Sequence, residues 1–155
     1  MTGFFKPEET TFDQLVMYKG ISRSSFYRFM DLYEKDPMIT KVPDGLGMAG
    51  DIDLSGRNFT HYPHDKLTVL GNLSLTSCLY LEKLPKYLYV TENLYLNDCP
   101  SLFSLPPTIT VKGVLFCDAQ LIEAIPNKDL PLYVNYKFKP DSLQQLYYKR
   151  LKEQK

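Results

Sequence analysis

The chain has 155 residues, the length of one domain or of one repetitive body with flanking segments. Lysine plus arginine and aspartate plus glutamate number 18 each, so the formal charge is zero and no overall field draws the protein toward nucleic acid or an anionic membrane. The first residues lack the apolar core of a secretory signal, and no stretch approaches the roughly 18 apolar residues that a membrane helix needs. We therefore expect a cytoplasmic protein with no membrane segment.

The N-terminal segment, residues 1–38, is predicted to form two helices. The first would run from about residue 10 to Gly20, and the second from Ser22 or Ser24 to Asp36, because the residue before Pro37 avoids the helical region. The second helix has an apolar face at spacings of three and four, formed by Phe26, Phe29, Met30 and Tyr33. We interpret this segment as a helical cap, since an end repeat exposes an apolar face and a strand edge. A partner-binding helical hairpin is the alternative.

Residues 39–138 repeat about every 21 residues. Positions 21 apart form four columns that are apolar or aromatic throughout. The columns are Leu46, Leu67, Leu88, Ile109 and Leu130; Met48, Val69, Val90, Val111 and Leu132; Ile52, Leu73, Leu94, Leu115 and Tyr136; and Leu54, Leu75, Leu96, Cys117 and Phe138. Strand alternation places these columns inside and predicts two extended segments in every unit. Each unit is also predicted to turn at a corner that usually ends in proline, because proline has no N–H to donate to a sheet.

The C-terminal segment, residues 139–155, is predicted to form one more helix, which starts at Pro140-Asp141 and is capped by Asp141 or Ser142. Its apolar face consists of Leu143, Leu146, Tyr147 and Leu151. Its later turns carry the basic residues Lys149, Arg150, Lys152 and Lys155, which complement the helix dipole. We interpret the segment as a C-terminal helical cap with a solvated basic end, and a nucleic-acid contact is the alternative.

The motif L-x-L-x-x-C, followed by an apolar-x-x-L-P corner, resembles leucine-rich-repeat proteins. Residues 73–85 and 94–106 carry it. These short repeats look most like those of secreted bacterial effectors of the YopM and IpaH kind, and equally like small repeat proteins of large bacteriophages. The resemblance implies an α+β repeat: a short leucine-rich-repeat solenoid of about five coils (residues 39–138) with N- and C-terminal helical caps. Two departures are Cys117, where leucine is usual, and an aromatic fifth unit without a proline corner. No ubiquitin-ligase domain follows, so that activity is not expected here.

Outward side chains of the second strand in each unit are predicted to form a continuous face. Its middle column is Asp53, Ser74, Tyr95, Phe116 and Lys137, with Asp51, Asn72, Asn93, Val114 and Asn135 before it and Ser55, Thr76, Asn97, Asp118 and Lys139 after it. Exposed aromatic residues among small polar groups are typical of a protein-binding hot spot. We predict that the partner-binding residues are Asp53, Asn72, Ser74, Asn93, Tyr95, Asn97, Val114, Phe116 and Asp118. The opposite face, with Tyr87 and Tyr89, ranks second.

Three further groups of residues have weaker functional interpretations. Cys78 and Cys99 lie one unit apart, so they are either buried thiols or, in an oxidising medium, a disulfide. Asp51 with Asp53 could serve as acid and base or bind a cation, and the segment 61–65 with both histidines could bind zinc. We predict free thiols, no metal, no cofactor and no catalytic residue.

These observations predict a binding protein, not an enzyme. We expect one protein partner, no membrane and no nucleic acid, and the sequence leaves the oligomeric state open. The resemblance suggests an inhibitor or adaptor of phage or bacterial origin that occludes a host or defence protein. A nucleic-acid-binding protein that uses the basic C-terminal helix and surface tyrosines, and a structural subunit of a larger assembly, are the alternatives.

Overall fold

A computed structural model describes residues 23–36, 47–62 and 65–153, and these form two parallel β-sheets with short helices. The predicted first helix and the first corner, from Ile39, lie outside the described residues. The elements in chain order are α1 (Arg23–Lys35), β1 (Gly47–Ala49), β2 (Ile52–Asp53), β3 (Lys66–Leu70), β4 (Leu73–Ser74), β5 (Tyr87–Val90), β6 (Leu94–Tyr95), β7 (Thr110–Val111), β8 (Leu115–Phe116), α2 (Ala119–Glu123), a 3-10 helix (Asn127–Tyr133), β9 (Phe138–Lys139) and α3 (Asp141–Lys152).

The first four repeat units each contribute one strand to each sheet, and the last unit contributes β9 to the second sheet only. The first sheet has the order β1-β3-β5-β7, and the second has the order β2-β4-β6-β8-β9. Every pairing is parallel, and between β1 and β8 the paired residues are 21 apart, as in Gly47 with Thr68 and Leu73 with Leu94. The 21-residue register predicted for these units is therefore confirmed.

The core lies between the two sheets and is filled by the leucine columns. Leu73, Leu94 and Leu115 are fully buried at equivalent positions of successive strands, and so are Val69 and Val90 in the other sheet. Parallel sheets need cover for their apolar residues, and here each sheet covers the inner side of the other. Burying a leucine side chain contributes about 1.5 to 3 kcal/mol, so these repeated positions supply most of the stabilisation.

The predicted fold class, an α+β leucine-rich-repeat solenoid with helical caps, is wrong. The described residues form parallel sheets of four and five strands with a few short helices, which is an α/β sheet arrangement. The repeat in the sequence reports which residues are equivalent, whereas the fold depends on which backbone groups pair. Both extended segments of each unit pair with their equivalents in the next unit, and this pairing produces two sheets.

The predicted register of the last unit is also wrong, by two residues. Phe138 pairs with Leu115, whereas the 21-residue period assigned that place to Tyr136. The chain forms α2 and the 3-10 helix after β8, and this path takes 23 residues to return to the sheet. Within the 3-10 helix Leu130 is fully buried, but Leu132, predicted to face inward, is 57% exposed.

Helix α1 lies at the open edge of the five-stranded sheet. It ends at Lys35, ahead of Pro37 as predicted, and its Met30 is buried. The backbone N–H of Asp53 on edge strand β2 donates to the hydroxyl of Tyr27 at 2.7 Å. An edge strand carries unpaired backbone groups, and this hydrogen bond satisfies one of them. The side chains of Phe26, Phe29 and Tyr33 are outside the described part of the chain.

Helix α3 packs against β9, the 3-10 helix and α2 at the other end of the molecule. Leu143 and Tyr147 are buried, while Leu146 and Leu151 are partly buried, so the predicted apolar face is confirmed. The predicted capping by Asp141 or Ser142 is wrong, because the N-cap residue is Pro140 and makes no side-chain capping bond. Of the helices that the structure describes, none is both long and apolar enough to cross a bilayer.

Candidate functional site

The candidate face is the outer side of the five-stranded sheet. Pairing of β2, β4, β6 and β8 places Asp53, Ser74, Tyr95 and Phe116 in one row, as predicted. The fifth member of the row is Lys139 and not the predicted Lys137, because β9 enters two residues later than the repeat requires. In each strand the neighbouring apolar residue is buried, so the row lies on the side away from the core.

The aromatic rings of Tyr95 and Phe116 stack on this face. Their centroids are 4.7 Å apart and their planes differ by 9°. Adjacent strands in a sheet are about 4.8 Å apart. The distance between the two rings matches this strand spacing, so the stack follows from the register of the sheet. Both residues are half-buried, which leaves part of each ring accessible. The stack is a rigid apolar patch on a mainly polar face.

The polar column beside the aromatic row is engaged in the sheet itself. The backbone N–H of Asn72 donates to Asp51 Oδ1, that of Asn93 to Asn72 Oδ1 and that of Val114 to Asn93 Oδ1, each at 2.8 Å. We call this chain of hydrogen bonds the amide ladder. The two asparagines were predicted to face a partner, but each side-chain oxygen accepts an N–H from the next unit. Val114 ends the ladder because its side chain has no acceptor.

Replacing Asn93 by alanine is expected to lower the free energy of unfolding by about 1 to 3 kcal/mol, because the N–H of Val114 loses its acceptor at a half-buried position. Asn97, from the other polar column, provides the matched control, since its backbone and not its side chain accepts the N–H of Ser77. Asn97→Ala is expected to change stability by less than about 0.5 kcal/mol. Chemical denaturation of both variants tests the ladder, and equal losses would contradict it.

Beyond the polar column on the other side of the aromatic row, the next residues, Gly56, Ser77 and Asp98, have positive φ and form a series of turns. The first two of these residues donate their N–H to the carbonyl of the residue 20 positions later in the next unit. At Asp98 the acceptor is instead the carboxylate of Asp118, at 2.8 Å. Asp118, predicted as a contact residue, thus takes the place of a missing backbone acceptor where α2 begins.

Asp53 and Ser74 form the polar end of the row. Asp53 Oδ1 accepts the N–H of Ser55 at 2.9 Å, and hydrogen bonds from Ser55 lower the pKa of the Asp53 carboxyl. The hydroxyls of Ser55 and Ser74 are 2.6 Å apart. This end of the face therefore presents an ionised, exposed carboxylate beside small hydroxyl groups.

The cysteines are free and buried. The thiols of Cys78 and Cys99 donate to the carbonyls of Leu54 and Leu75, at 3.2 and 3.1 Å. Burial raises the pKa of the Cys78 thiol to about 11, which keeps it protonated and unreactive at neutral pH. The thiols thus serve as small hydrogen-bonding core groups in the described structure.

The structure describes no cluster of ligands at the two suggested cation sites, Asp51 with Asp53 and the segment 61–65. In the ranges that the structure covers, no group of three histidine, cysteine or acidic side chains is placed to hold a metal ion. One side-chain oxygen of Asp51 accepts the N–H and the amide group of Asn72, at 2.8 and 3.2 Å. His64, from the segment 61–65, lies outside the described residues.

Sequence reasoning missed two features, one on the candidate face and one at the helical C-terminal end of the protein. The amide ladder was visible as acid or amide residues at Asp51, Asn72 and Asn93, spaced by 21, but the direction of their oxygens was not. The second feature is Arg150, which donates to the carbonyl of Ile122 at 2.7 Å and to Asn127 Oδ1 at 2.6 Å. No sequence signal connected this cation to positions more than 20 residues away.

Comparison with known proteins gives no relative: no family model, no curated protein and no solved structure matches the chain. The resemblance of the repeat motif to leucine-rich-repeat proteins therefore stays a prediction.

Proposed function

We propose that the protein is a protein-binding module and that the stacked pair Tyr95–Phe116 is the centre of its binding surface. The observation that carries this proposal is the stack itself, two half-buried rings 4.7 Å apart in a row of otherwise polar residues. Aromatic residues dominate the energy of protein–protein contacts when they dock at the centre of an interface with polar groups around them.

The rigidity of the face supports binding by occlusion. The amide ladder and the Ser55–Ser74 contact hold the surroundings of the stack in place before any partner arrives. A preorganised surface loses little conformational entropy on docking, which favours affinity for a small interface. We propose an inhibitor or adaptor of phage or bacterial origin, acting in the cytoplasm on a host or defence protein. The biological setting rests on the resemblance of the repeats alone.

The nucleic-acid alternative depended on the basic residues of α3. The guanidinium of Arg150 donates hydrogen bonds to the carbonyls of Ile122 and Glu123 at the end of α2 and to the side-chain oxygen of Asn127. This cation therefore stabilises the helical end of the protein and is not free to contact phosphate. Within the described part of this basic end, Lys149 and Lys152 are exposed, and two lysines are a small electrostatic footprint for nucleic acid; Lys155 lies outside the described residues.

The role as a structural subunit has one observation in its favour. Leu132 and Val134, in and just after the 3-10 helix, are more than half exposed. Such residues are suited to a contact at the C-terminal end of the molecule, away from the aromatic stack. The test of this second candidate is a variant with both residues changed to serine. If the protein is a subunit of a larger assembly held by these residues, the variant should dissociate from it.

The double variant Tyr95→Ala with Phe116→Ala is expected to abolish capture of the protein partner while the melting temperature changes little. The measurement is quantitative mass spectrometry of proteins captured from the lysate of the expressing cells, with purified variants as bait. The matched control is Tyr87→Ala with Phe103→Ala, which removes two exposed aromatic residues outside the row. If the wild type, the Tyr95→Ala/Phe116→Ala variant and the control variant all capture the same proteins in equal amounts, the stack is not the binding surface.

A further inference from the structure

One face of the aromatic stack adjoins a strand without a bulky side chain. Phe116 covers one face of Tyr95 at a centroid distance of 4.7 Å. On the opposite side the next strand carries Ser74, which pairs in register with Tyr95 and ends in a single hydroxyl group. Strands are about 4.8 Å apart, so a planar group placed over Ser74 would lie at stacking distance from Tyr95. Such a group would occupy a slot that continues the stack by one position.

The strand beyond Ser74 bears a carboxylate. Asp53 pairs in register with Ser74, is exposed, and is held by the N–H of Ser55 through Oδ1. The neighbouring cation, Arg57, makes its ion pairs with Asp31 and Glu34 of α1, and its charge also helps to lower the pKa of Asp53 without an ion-pair contact between the two. In the described part of the chain, no lysine or arginine lies within ion-pair distance of Asp53.

We propose that this slot, with Ser74 as its floor, Tyr95 as one wall and Asp53 as the other, receives an arginine side chain of the partner. The inference rests on the protein-binding role proposed above and names the chemistry of the partner. A guanidinium is flat, stacks on the face of a tyrosine ring and pairs with a carboxylate. The hydroxyl of Ser74, shared with Ser55, offers a further acceptor for its N–H groups.

The negative charge of this end of the face favours an arginine side chain over other planar groups that stack on tyrosine, such as nucleic-acid bases. A nucleic-acid base would also stack on Tyr95, but its phosphates would approach Asp51 and Asp53, both of which are exposed. A lysine would match the charge of Asp53 and can also lie over the ring, but its ammonium group has no plane to stack and no fork of N–H groups to match the carboxylate. Arginine satisfies the ring and the carboxylate together.

The first experiment titrates the ¹⁵N-labelled full-length protein with the peptide N-acetyl-Gly-Arg-Gly-amide and, in parallel, with its lysine analogue. The arginine peptide is expected to shift the amide resonances of Asp53, Ser74 and Tyr95 in a saturable way. Its affinity should exceed that of the lysine peptide by about twofold to fivefold, the range of a cation–π contact at an exposed site. Equal shifts with both peptides would indicate attraction by charge alone and would overturn the proposal.

Two variants locate the peptide. Ser74→Phe fills the slot and extends the aromatic row, so it should remove the arginine preference and leave the protein folded. Asp53→Asn keeps the shape of the side chain and its acceptor for Ser55 N–H, and it should weaken the arginine peptide by up to about fivefold, the range of an exposed ion pair. An arginine preference that is unchanged in both variants would place the binding elsewhere and refute the slot.

The same variants separate this inference from the proposed function. If Ser74→Phe still captures the cellular partner while Tyr95→Ala with Phe116→Ala does not, the aromatic stack binds protein and the arginine slot is refuted. If the double alanine variant retains the partner, the proposed function itself fails. Loss of the partner in Ser74→Phe, Asp53→Asn and the double variant is the result that both proposals require.

Discussion

Replacing Leu96 by alanine is expected to lower the free energy of unfolding by about 2 to 5 kcal/mol. Leu96 is only 2% exposed and lies between Leu75 and Cys117 in one buried column. Its truncation leaves a cavity between two sheets whose backbones are held by parallel hydrogen bonds, so neighbouring side chains cannot easily move in to fill it. Urea denaturation of the variant is the measurement.

The matched control is Leu79→Ala, which removes the same atoms from a leucine that is 47% exposed and should change stability by less than about 0.5 kcal/mol. A second test uses the double variant Leu75→Ala with Leu96→Ala. Because these side chains come from adjacent strands and share an interior, their combined cost should differ from the sum by about 0.5 to 3 kcal/mol. Strict additivity would mean that the two leucines do not share one cavity, contrary to the register of the sheet.

The strands between residues 47 and 117 could be predicted because burial forces a strict pattern. Each unit has the same length and places apolar residues at the same positions, and a shift of one residue would turn a whole strand inside out. Tyr95 and Phe116 became neighbours for the same reason, since a shared register brings equivalent residues within one strand spacing. Periodicity therefore determined the row of the candidate site.

The fold class and the last unit could not be predicted from the same pattern. Spacing identifies equivalent residues, and it predicted a continuous face for the second extended segment of each unit, but it does not say whether the first extended segment also joins a sheet. After Cys117 the chain leaves the sheet, and tertiary contacts choose its path. The hydroxyls of Tyr133 and Tyr147, for example, donate to the carbonyls of Leu105 and Leu130. Such contacts join residues 17 and 28 apart, so they leave no periodic signal.

The sequence also does not show which polar side chains of the candidate site bond to the sheet and which face solvent, and the reason is different. An asparagine on the outer side of a strand has the same sequence context whether its oxygen points to solvent or to the N–H of the next strand. The side-chain oxygens of Asn72 and Asn93 accept the N–H of the next strand, and the carboxylate of Asp118 accepts the N–H of Asp98. What remains for a partner in the predicted set is the row from Asp53 to Phe116, together with the side chains of Asn97 and Val114 beside it.

Raising the pH from 8 to 11 is expected to destabilise the protein, and the buried thiols account for a defined part of that loss. Burial raises the pKa of Cys78 from 9.0 to about 11 and the pKa of Cys117 to about 12. The unfolded chain releases these protons at lower pH than the folded protein does. The stabilising contribution is therefore complete below pH 9 and is lost as the pH rises toward 11 and 12.

The expected size follows from the pKa differences. One pKa unit corresponds to about 1.4 kcal/mol, so by pH 11 each of the two thiols should account for about 2 to 3 kcal/mol of lost stability. Burial also raises the pKa of Tyr133, from 10.0 to about 12, so the wild-type protein loses stability through tyrosines as well. Variants that remove only the thiols separate the two contributions, since the tyrosines remain in both.

The thiol variants are Cys78→Ala and Cys117→Val, the second of which makes the leucine column fully apolar. Each should be less sensitive to pH than the wild type between pH 8 and 11, measured as the difference in unfolding free energy under reducing conditions. Cys78→Ala is expected to start from a lower stability at pH 8, because it leaves a small cavity and removes a donor to the Leu54 carbonyl. The comparison therefore uses slopes and not absolute stabilities. Identical slopes in the wild type and both variants would mean that the thiols ionise as freely in the folded chain as in the unfolded one, which is incompatible with their positions in the core.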